Sequence, residues 1–93
     1  MLDLSSKRTF CIGAFDPTGK VFGIAFLEEY FGIHNNWIYL YNLQEFDKGS
    51  FLSKKLNCSQ IRILKFSRNN KMILNATTEG TIFILDAYSL NNV

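Results

Sequence analysis

The chain has 93 residues, enough for one small domain, and its charge is nearly balanced, with 10 Lys and Arg against 8 Asp and Glu. Two cysteines without a CxxC pair, together with a single histidine, exclude a standard zinc site built by this chain alone. No apolar run reaches the roughly 18 residues of a membrane span and no signal peptide is evident, so we expect an intracellular protein.

The first half of the chain predicts short strands separated by turns. The segment Asp16-Pro17-Thr18-Gly19 is typical of a turn, because proline presets φ and glycine accepts a positive φ. The runs on either side of it are apolar and β-branched or aromatic, as in strands. The predicted strands of this half cover residues 2–4, 9–15, 21–26 and 37–43.

A long connection over residues 27–36 is predicted between the second and third of the larger strands. It carries Tyr30, Phe31 and the single histidine, His34. Loops on a rigid scaffold often carry binding residues, so Tyr30 and Phe31 are candidates for partner contact. The alternative is that the two rings fold back and cap the edge of the sheet.

The second half predicts a loop over residues 44–50, an outer strand over 51–56, and three further strands. These three cover residues 61–66, 72–76 and 81–85, with turns at 67–71 and 77–80. The run from Ile82 to Leu85 does not alternate between apolar and polar residues. A strand with one wet face alternates, so this strand is expected to be buried on both faces.

The chain contains an internal repeat. Phe15–Lys20 matches Phe66–Lys71 with an offset of 51 residues, and Ile38–Asn42 matches Ile82–Asp86 with an offset of 44. A unit of about 40–45 residues with four strands has the period of WD repeats. The repeat predicts an all-β fold of antiparallel four-stranded β-propeller blades, with the first repeat in residues 1–50 and the second in 51–93. Two blades of a larger propeller leave apolar faces bare, so we expect self-association or a chain that is part of a longer one.

The positive charges concentrate between Lys48 and Lys71, a stretch that contains no Asp or Glu. Solvated strand edges account for such a pattern, and so does an electrostatic site for an acidic partner. Under the second interpretation, the candidate residues for an acidic or phosphorylated peptide are Lys48, Arg62, Lys65 and Arg68. RNA is an alternative ligand for the same stretch.

No catalytic residues, cofactor site or metal site are indicated. His34 has no Ser or Cys nucleophile at motif spacing, and the adjacent Glu28 and Glu29 are interpreted as solvated side chains. The chain is therefore not expected to be an enzyme. The aromatic residues within the strands are interpreted as core rather than as base-stacking platforms. They are Phe15, Phe22, Phe26, Trp37, Tyr39, Tyr41, Phe66 and Phe83.

Three motifs sharpen the repeat assignment: FDPTGK at residues 15–20, IYLYNL at 38–43 and FDKGSF at 46–51. With LKFSRNNK at residues 64–71, they resemble the WD-repeat subunit family of the COMPASS histone lysine methyltransferase complex, also found in a nuclear protein phosphatase-1 complex. The resemblance implies a nuclear, non-catalytic scaffold that contacts a methyltransferase subunit and the phosphorylated tail of RNA polymerase II. The chain departs from the pattern at Tyr41 and Leu85, where WD repeats often carry Trp, and in residues 27–36, an insertion.

Overall fold

The computed structural model describes residues 7–93, with Lys7 and Tyr30 described by their backbone alone. The described chain forms seven strands in two antiparallel sheets, and its only helix is a short 3-10 helix. The all-β prediction is therefore confirmed, whereas the strand predicted at residues 2–4 lies outside the described residues. The strands are β1 (Lys7–Phe15), β2 (Val21–Tyr30), β3 (Ile33–Asn42), β4 (Leu52–Leu56), β5 (Ile61–Phe66), β6 (Met72–Thr77) and β7 (Ile82–Asp86).

The first sheet has the strand order β1-β2-β3-β4. The prediction of a long loop at residues 27–36 is wrong. This segment is instead paired strand, with Leu27 opposite Asn36 and Tyr30 opposite Ile33. Phe31 and Gly32 alone form the turn, with φ values of 48° and 76°. Positive φ at both central residues is the geometry of a type I′ hairpin turn, which fits the twist of the strands.

The second sheet has the order β5-β6-β7 and repeats the geometry of the first. Each repeat has a β-bulge in its first strand, at Cys11 in β1 and at Arg62 in β5. In place of a fourth strand, Asn92 forms a single antiparallel bridge with Leu85. The Val93 N–H donates to Ile84 O at 3.0 Å, the counterpart of the Phe51 N–H bond to Leu40 O.

Asn42 and Asp86 end the third strands of the two sheets, and the prediction that they are equivalent is confirmed. Asn42 lies opposite Val21 in the first sheet, and Asp86 lies opposite Met72 in the second. Each also accepts a hydrogen bond on its side-chain oxygen from the N–H two residues later, at 3.0 and 2.7 Å. In the first sheet this bond begins the 3-10 helix Leu43–Lys48, where a loop was predicted.

The boundary between the sheets lies within residues 57–60, because β4 pairs with β3 and belongs to the first sheet. The division of the sequence into repeats at residues 1–50 and 51–93 stays a prediction. A repeat boundary marks where the sequence pattern starts again, and this need not coincide with the point where one sheet ends and the next begins.

The core lies between the inner faces of the two sheets. Gly23 makes this close approach possible, since a Cβ there would lie 3.2 Å from the Leu40 side chain and from the Phe66 ring. The buried hydrophobic residues are Ala25, Ile38, Leu40, Leu56, Ile61, Leu64, Phe66, Ile73, Leu85, Ala87 and Leu90.

The outer faces of both sheets carry apolar residues that no described residue covers. In β7 only Leu85 is fully buried, while Ile82 is 68% and Ile84 is 39% exposed. The expectation that this strand is buried on both faces is therefore wrong within this chain, because no second layer lies on the outer side of β7. The expectation that two blades leave apolar faces bare agrees with the structure.

Candidate interaction surfaces

Asp16 organises the turn between β1 and β2. Its Oδ1 accepts hydrogen bonds from the N–H groups of Lys20 at 2.9 Å and Val21 at 3.0 Å, and its Oδ2 accepts one from Thr18 Oγ1 at 2.7 Å. Burial opposes the charged carboxylate, but these hydrogen bonds outweigh burial and lower the pKa of Asp16. The carboxylate is therefore ionised and fully used within the turn.

The β5–β6 turn repeats this arrangement with neutral groups. Ser67 Oγ accepts from the Met72 N–H at 3.0 Å and bonds to Asn69 Oδ1 at 2.6 Å. Asn70 has a φ of 61° at the position where the first turn has Gly19 with a φ of 74°. Asn tolerates this left-handed conformation better than most residues, which explains why the turn is retained without glycine.

The predicted cationic residues do not form one cluster. Lys48 ends the 3-10 helix and its Nζ lies 2.7 Å from Glu45 Oε2, in an exposed ion pair. Arg62 is the bulge residue of β5, near the start of that strand, where the connection over residues 57–60 enters the second sheet. Lys65 and Arg68 line one groove on the outer face of the second sheet, together with Met72, Leu74 and Ile84.

The other lysines of the basic stretch point in different directions. Lys54 lies on the inner side of β4, and its Nζ donates to Leu90 O at 2.8 Å. Lys55 lies opposite Trp37 in the strand ladder, on the outer face of the first sheet. The stretch is continuous in the sequence, but its charges are spread over the inner side, the outer face and the turns of the structure.

Tyr30 and Phe31 lie at the tip of the β2–β3 hairpin, at the end of the sheet opposite the Asp16 turn. Phe31 is 73% exposed and adopts a positive φ, which is unfavourable for a bulky side chain. Most of the Phe31 side chain is thus exposed to solvent at the hairpin tip. Backbone strain of this kind is found at binding sites more often than elsewhere.

The aromatic residues of the first sheet form a continuous outer face. Ring centroids lie 4.8 Å apart for Phe15 and Phe22, and 5.0 Å apart for Tyr41 and Phe46. The interpretation of these residues as core is wrong for the described chain, because all but Phe66 and Phe83 point away from the second sheet. Further ring pairs on this face are Phe26–Tyr39, Trp37–Tyr39 and Tyr39–Tyr41.

Glu28 is anchored at the edge of this aromatic face instead of being solvated as expected. Its Oε1 accepts a hydrogen bond from Trp37 Nε1 at 3.2 Å, and its Oε2 lies 3.5 Å from Arg8 Nε. The side chain is 18% exposed. The carboxylate therefore orients the Trp37 ring against the sheet.

A cleft of about 430 Å³ separates the two sheets at the end that carries the Asp16 turn. Sequence reasoning missed this cleft, since its lining comes from segments far apart in the chain. The repeated turns are the signal that points to it, because they bring the same end of both sheets together. Among its lining residues are Lys20, Phe51, Phe66, Asn70 and Tyr88.

The described residues were also compared with the geometry of metal sites and of membrane-spanning helices. Residues 7–93 contain no group of three His, Cys, Asp or Glu residues placed to hold a metal ion. No helix among them is both long enough and apolar enough to cross a membrane. Cys11 and Cys58 are free, and burial raises the pKa of the Cys58 thiol.

The two sheets, with their repeated turns, bulges and strand ends, define the class of the protein: it is an all-β chain of antiparallel WD-repeat blades. The comparisons with curated proteins identify relatives within that class. The chain is 40% identical over 81 residues to WD repeat-containing protein 82 of Drosophila melanogaster, an alignment that covers 83% of the chain. It is 39% identical over 82 residues, 85% of the chain, to COMPASS component SWD2 of Saccharomyces cerevisiae.

The chain is therefore homologous to these WD-repeat proteins. It spans 23% of the length of each relative, and the aligned 81 and 82 residues amount to about two units of the 40–45-residue WD period. No family model and no solved structure matches the chain.

Proposed function

We propose that this chain acts as a non-catalytic WD-repeat scaffold for protein–protein interaction, as a nuclear subunit of a COMPASS-like histone lysine methyltransferase complex linked to transcription. The observation that carries the proposal is the 39% identity to a COMPASS component over 85% of the chain. The geometry supports a binding role, since the described residues present grooves and exposed apolar faces. The proposed partners are a methyltransferase subunit and the phosphorylated tail of RNA polymerase II.

The exposed cations and the hairpin tip are the proposed contact residues. Lys65 and Arg68 supply two positive charges beside an apolar groove, an arrangement that suits a phosphorylated peptide with an apolar neighbour. Lys48 and Arg62 lie elsewhere and would contact other parts of a long partner. Tyr30 and Phe31 would contribute contacts at the opposite end of the first sheet.

Copurification tests the proposal. The 93-residue chain is expressed with an affinity tag in the cells from which it comes, and the eluate is assayed for methyl transfer to histone lysine. We expect activity in the wild-type eluate and about tenfold less with Lys65→Glu and Arg68→Glu combined. The matched control is Lys55→Glu, on the outer face of the other sheet. Background activity in the wild-type eluate would contradict the proposal.

RNA binding through residues 48–71 is the competing function. It predicts affinity for single-stranded RNA that falls steeply between 50 and about 200 mM salt, because each neutralised phosphate releases counterions. We expect instead that a phosphoserine peptide binds and that RNA does not, since Lys54 is turned inwards towards Leu90. Fluorescence polarisation with both ligands at the two salt concentrations separates the two functions.

A further inference from the structure

We propose that the β2–β3 hairpin is a docking arm whose apolar tip, Phe31 and Ile33, inserts into an apolar pocket on a folded protein partner. The inference rests on the proposed scaffold function and deepens it, because it assigns the hairpin tip to a partner with a pocket rather than to a phosphorylated peptide. In the proposed complex, that partner is the methyltransferase subunit.

The hairpin reaches further than its counterpart in the second repeat. The pair Ala25–Ile38 in the first sheet is equivalent to the pair Ala76–Ile82 in the second. Beyond these pairs, twelve residues close the first hairpin and five close the second. At about 3.4 Å per residue, the additional pairs carry the tip roughly 10 Å past the level of the equivalent turn. A protruding tip meets a concave surface, so the pocket lies on the partner.

The equivalent turn shows that an exposed turn at this place needs no apolar residues. Residues 77–81 read Thr-Thr-Glu-Gly-Thr, and Gly80 takes the positive φ. The tip of the first hairpin has instead Phe31, 73% exposed, and Ile33, 59% exposed. Phe31 also holds a φ of 48°, which is unfavourable for a bulky residue. Turn geometry therefore does not account for these two side chains, whereas burial in a partner would.

Polar contacts on both faces hold the base of the arm. On the outer face, Glu28 Oε1 accepts a hydrogen bond from Trp37 Nε1 at 3.2 Å, and Glu28 Oε2 lies 3.5 Å from Arg8 Nε. On the inner face, Glu29 Oε2 lies 3.9 Å from His34 Nδ1 across the hairpin. An element that is already ordered loses little conformational entropy on binding. The hairpin therefore presents its tip in a preformed geometry.

The charges of the arm balance, so they select neither an anion nor a cation. Residues 30–36 contain no Lys or Arg. At the base, each basic residue of β1 lies opposite an acidic residue of β2, with Lys7 opposite Glu29 and Arg8 opposite Glu28. A phosphorylated peptide or RNA requires an excess of cations. Apolar contact is what the tip offers, and an uncharged pocket complements it.

Copurified methyl transfer, measured as above, tests the arm with two variants that preserve the local backbone. Phe31→Asn removes the ring and suits the positive φ of the turn, and Ile33→Thr keeps a β-branched residue in the strand. We expect the activity to fall about tenfold with Phe31→Asn and about threefold with Ile33→Thr, since aromatic anchors dominate interfaces. The matched control is Tyr88→Asn, at a side chain that is 71% exposed, and it should leave the activity unchanged.

The phosphoserine peptide separates the arm from the Lys65–Arg68 groove. Phe31→Asn should leave the affinity for this peptide unchanged in fluorescence polarisation. Lys65→Glu and Arg68→Glu combined should weaken the peptide about tenfold or more, because they reverse the two charges beside the phosphate. The arm and the groove would then be independent contact sites.

Photo-crosslinking identifies what the tip contacts. The photoreactive amino acid p-benzoylphenylalanine replaces Phe31, or Glu79 in the equivalent turn, in the tagged chain expressed in the cells from which it comes. We expect position 31 to crosslink to one protein within a segment rich in apolar residues, which mass spectrometry identifies. Position 79 should not crosslink to that protein.

The inference is overturned if Phe31→Asn copurifies as much activity as the wild type. It is also overturned if position 31 crosslinks to no protein or only to other copies of the chain, or if position 79 gives the same crosslinks. Wild-type activity that Phe31→Asn retains removes the docking arm and leaves the proposed function. Background activity in the wild-type eluate, with a position-31 crosslink to an apolar segment of another protein, removes the COMPASS assignment and leaves the docking arm.

Discussion

The two sheets carry the same repeat but bury opposite faces of it. Ile38 in the first sheet is fully buried, whereas the equivalent Ile82 in the second is 68% exposed. The reverse holds for the first strands, since Phe66 is 7% exposed and the equivalent Phe15 is 60% exposed. Burial is therefore set by which face meets the other sheet, not by the residue type that the repeat places there.

The two faces at equivalent positions also differ in shape. Gly23 on the inner face of the first sheet leaves room for the Phe66 ring, whereas the repeat places Leu74 at the equivalent position on the outer face of the second. A Phe15 side chain from another copy would meet Leu74 where Phe66 meets a glycine. A contact between copies therefore cannot reproduce the internal packing atom for atom.

The sharpest test of the comparison is a matched pair of substitutions at equivalent isoleucines. Ile38→Ala should lower the free energy of unfolding by about 2–5 kcal/mol, the usual cost of a cavity in a packed core. Ile82→Ala should change it by less than about 0.5 kcal/mol, because most of the Ile82 side chain already contacts solvent. Urea unfolding followed by tryptophan fluorescence measures both, at a protein concentration low enough for the chain to be monomeric. Equal costs would mean that the outer face of β7 is covered in solution.

The turns offer a second comparison, between a charged and a neutral version of the same structure. Asp16→Asn should cost about 1.5–3 kcal/mol, because it removes the charge that accepts three hydrogen bonds. Ser67→Ala should cost about 0.5–1.5 kcal/mol, since it removes neutral hydrogen bonds at a partly exposed site. Thermal unfolding at neutral pH ranks the two variants, and the opposite order would show that the charge contributes nothing.

The pH dependence checks the Asp16 mechanism. Its pKa is lowered in the folded state, so its contribution is complete above the unfolded pKa of about 3.9 and is lost as the pH falls through the lower folded value. The wild-type melting temperature should therefore fall more steeply below about pH 4 than that of Asp16→Asn. Parallel curves for the two proteins would contradict this assignment.

The strands and the turns at residues 16–19 and 67–71 were predictable because local chemistry fixes them. The turn residues are Asp, Pro, Gly, Ser and Asn, and the apolar runs between them are β-branched or aromatic. The outer part of the β2–β3 hairpin was not predictable, because Leu27–Tyr30 and Ile33–Asn36 lack the apolar–polar alternation of a strand. Pairing with each other holds these segments extended, and such pairing is not visible in either segment alone.

The placement of side chains on faces could be predicted only in part. The non-alternating run from Ile82 to Leu85 indicates apolar residues on both faces, but it does not say which face another layer covers. The positions of the cations are still less predictable, since Lys54 and Lys55 are neighbours in the sequence and lie on opposite sides of β4. The alternation of a strand separates such neighbours, so a charged run in the sequence does not make a charged surface.

The two outer faces differ in chemistry, since the first sheet presents aromatic side chains and the second presents aliphatic ones. Self-association tests whether the two kinds of face pack against each other between copies of the chain. We expect the 93-residue chain to associate head to tail, with the aliphatic face of one copy against the aromatic face of the next. Ile82→Lys should weaken this association about tenfold or more, because burying such a side chain is worth roughly 1.5–3 kcal/mol. Sedimentation velocity at micromolar concentrations measures the change. A monomeric wild-type chain would exclude the contact.

The smallest expected effect concerns the turn between β2 and β3, whose residues differ from those of the equivalent turn between β6 and β7. Phe31 holds a φ of 48° in a two-residue turn with Gly32, whereas the β6–β7 turn places Gly80 at its positive φ. Asn-Gly is the preferred sequence of a type I′ turn, so Phe31→Asn should raise the free energy of unfolding by about 0.5–1 kcal/mol through relief of backbone strain. If Phe31 contacts a partner, the same variant should be more stable and yet copurify less methyltransferase activity. Opposite signs in the two measurements would separate binding from folding at this residue, whereas a loss of stability would show that the ring packs on the hairpin.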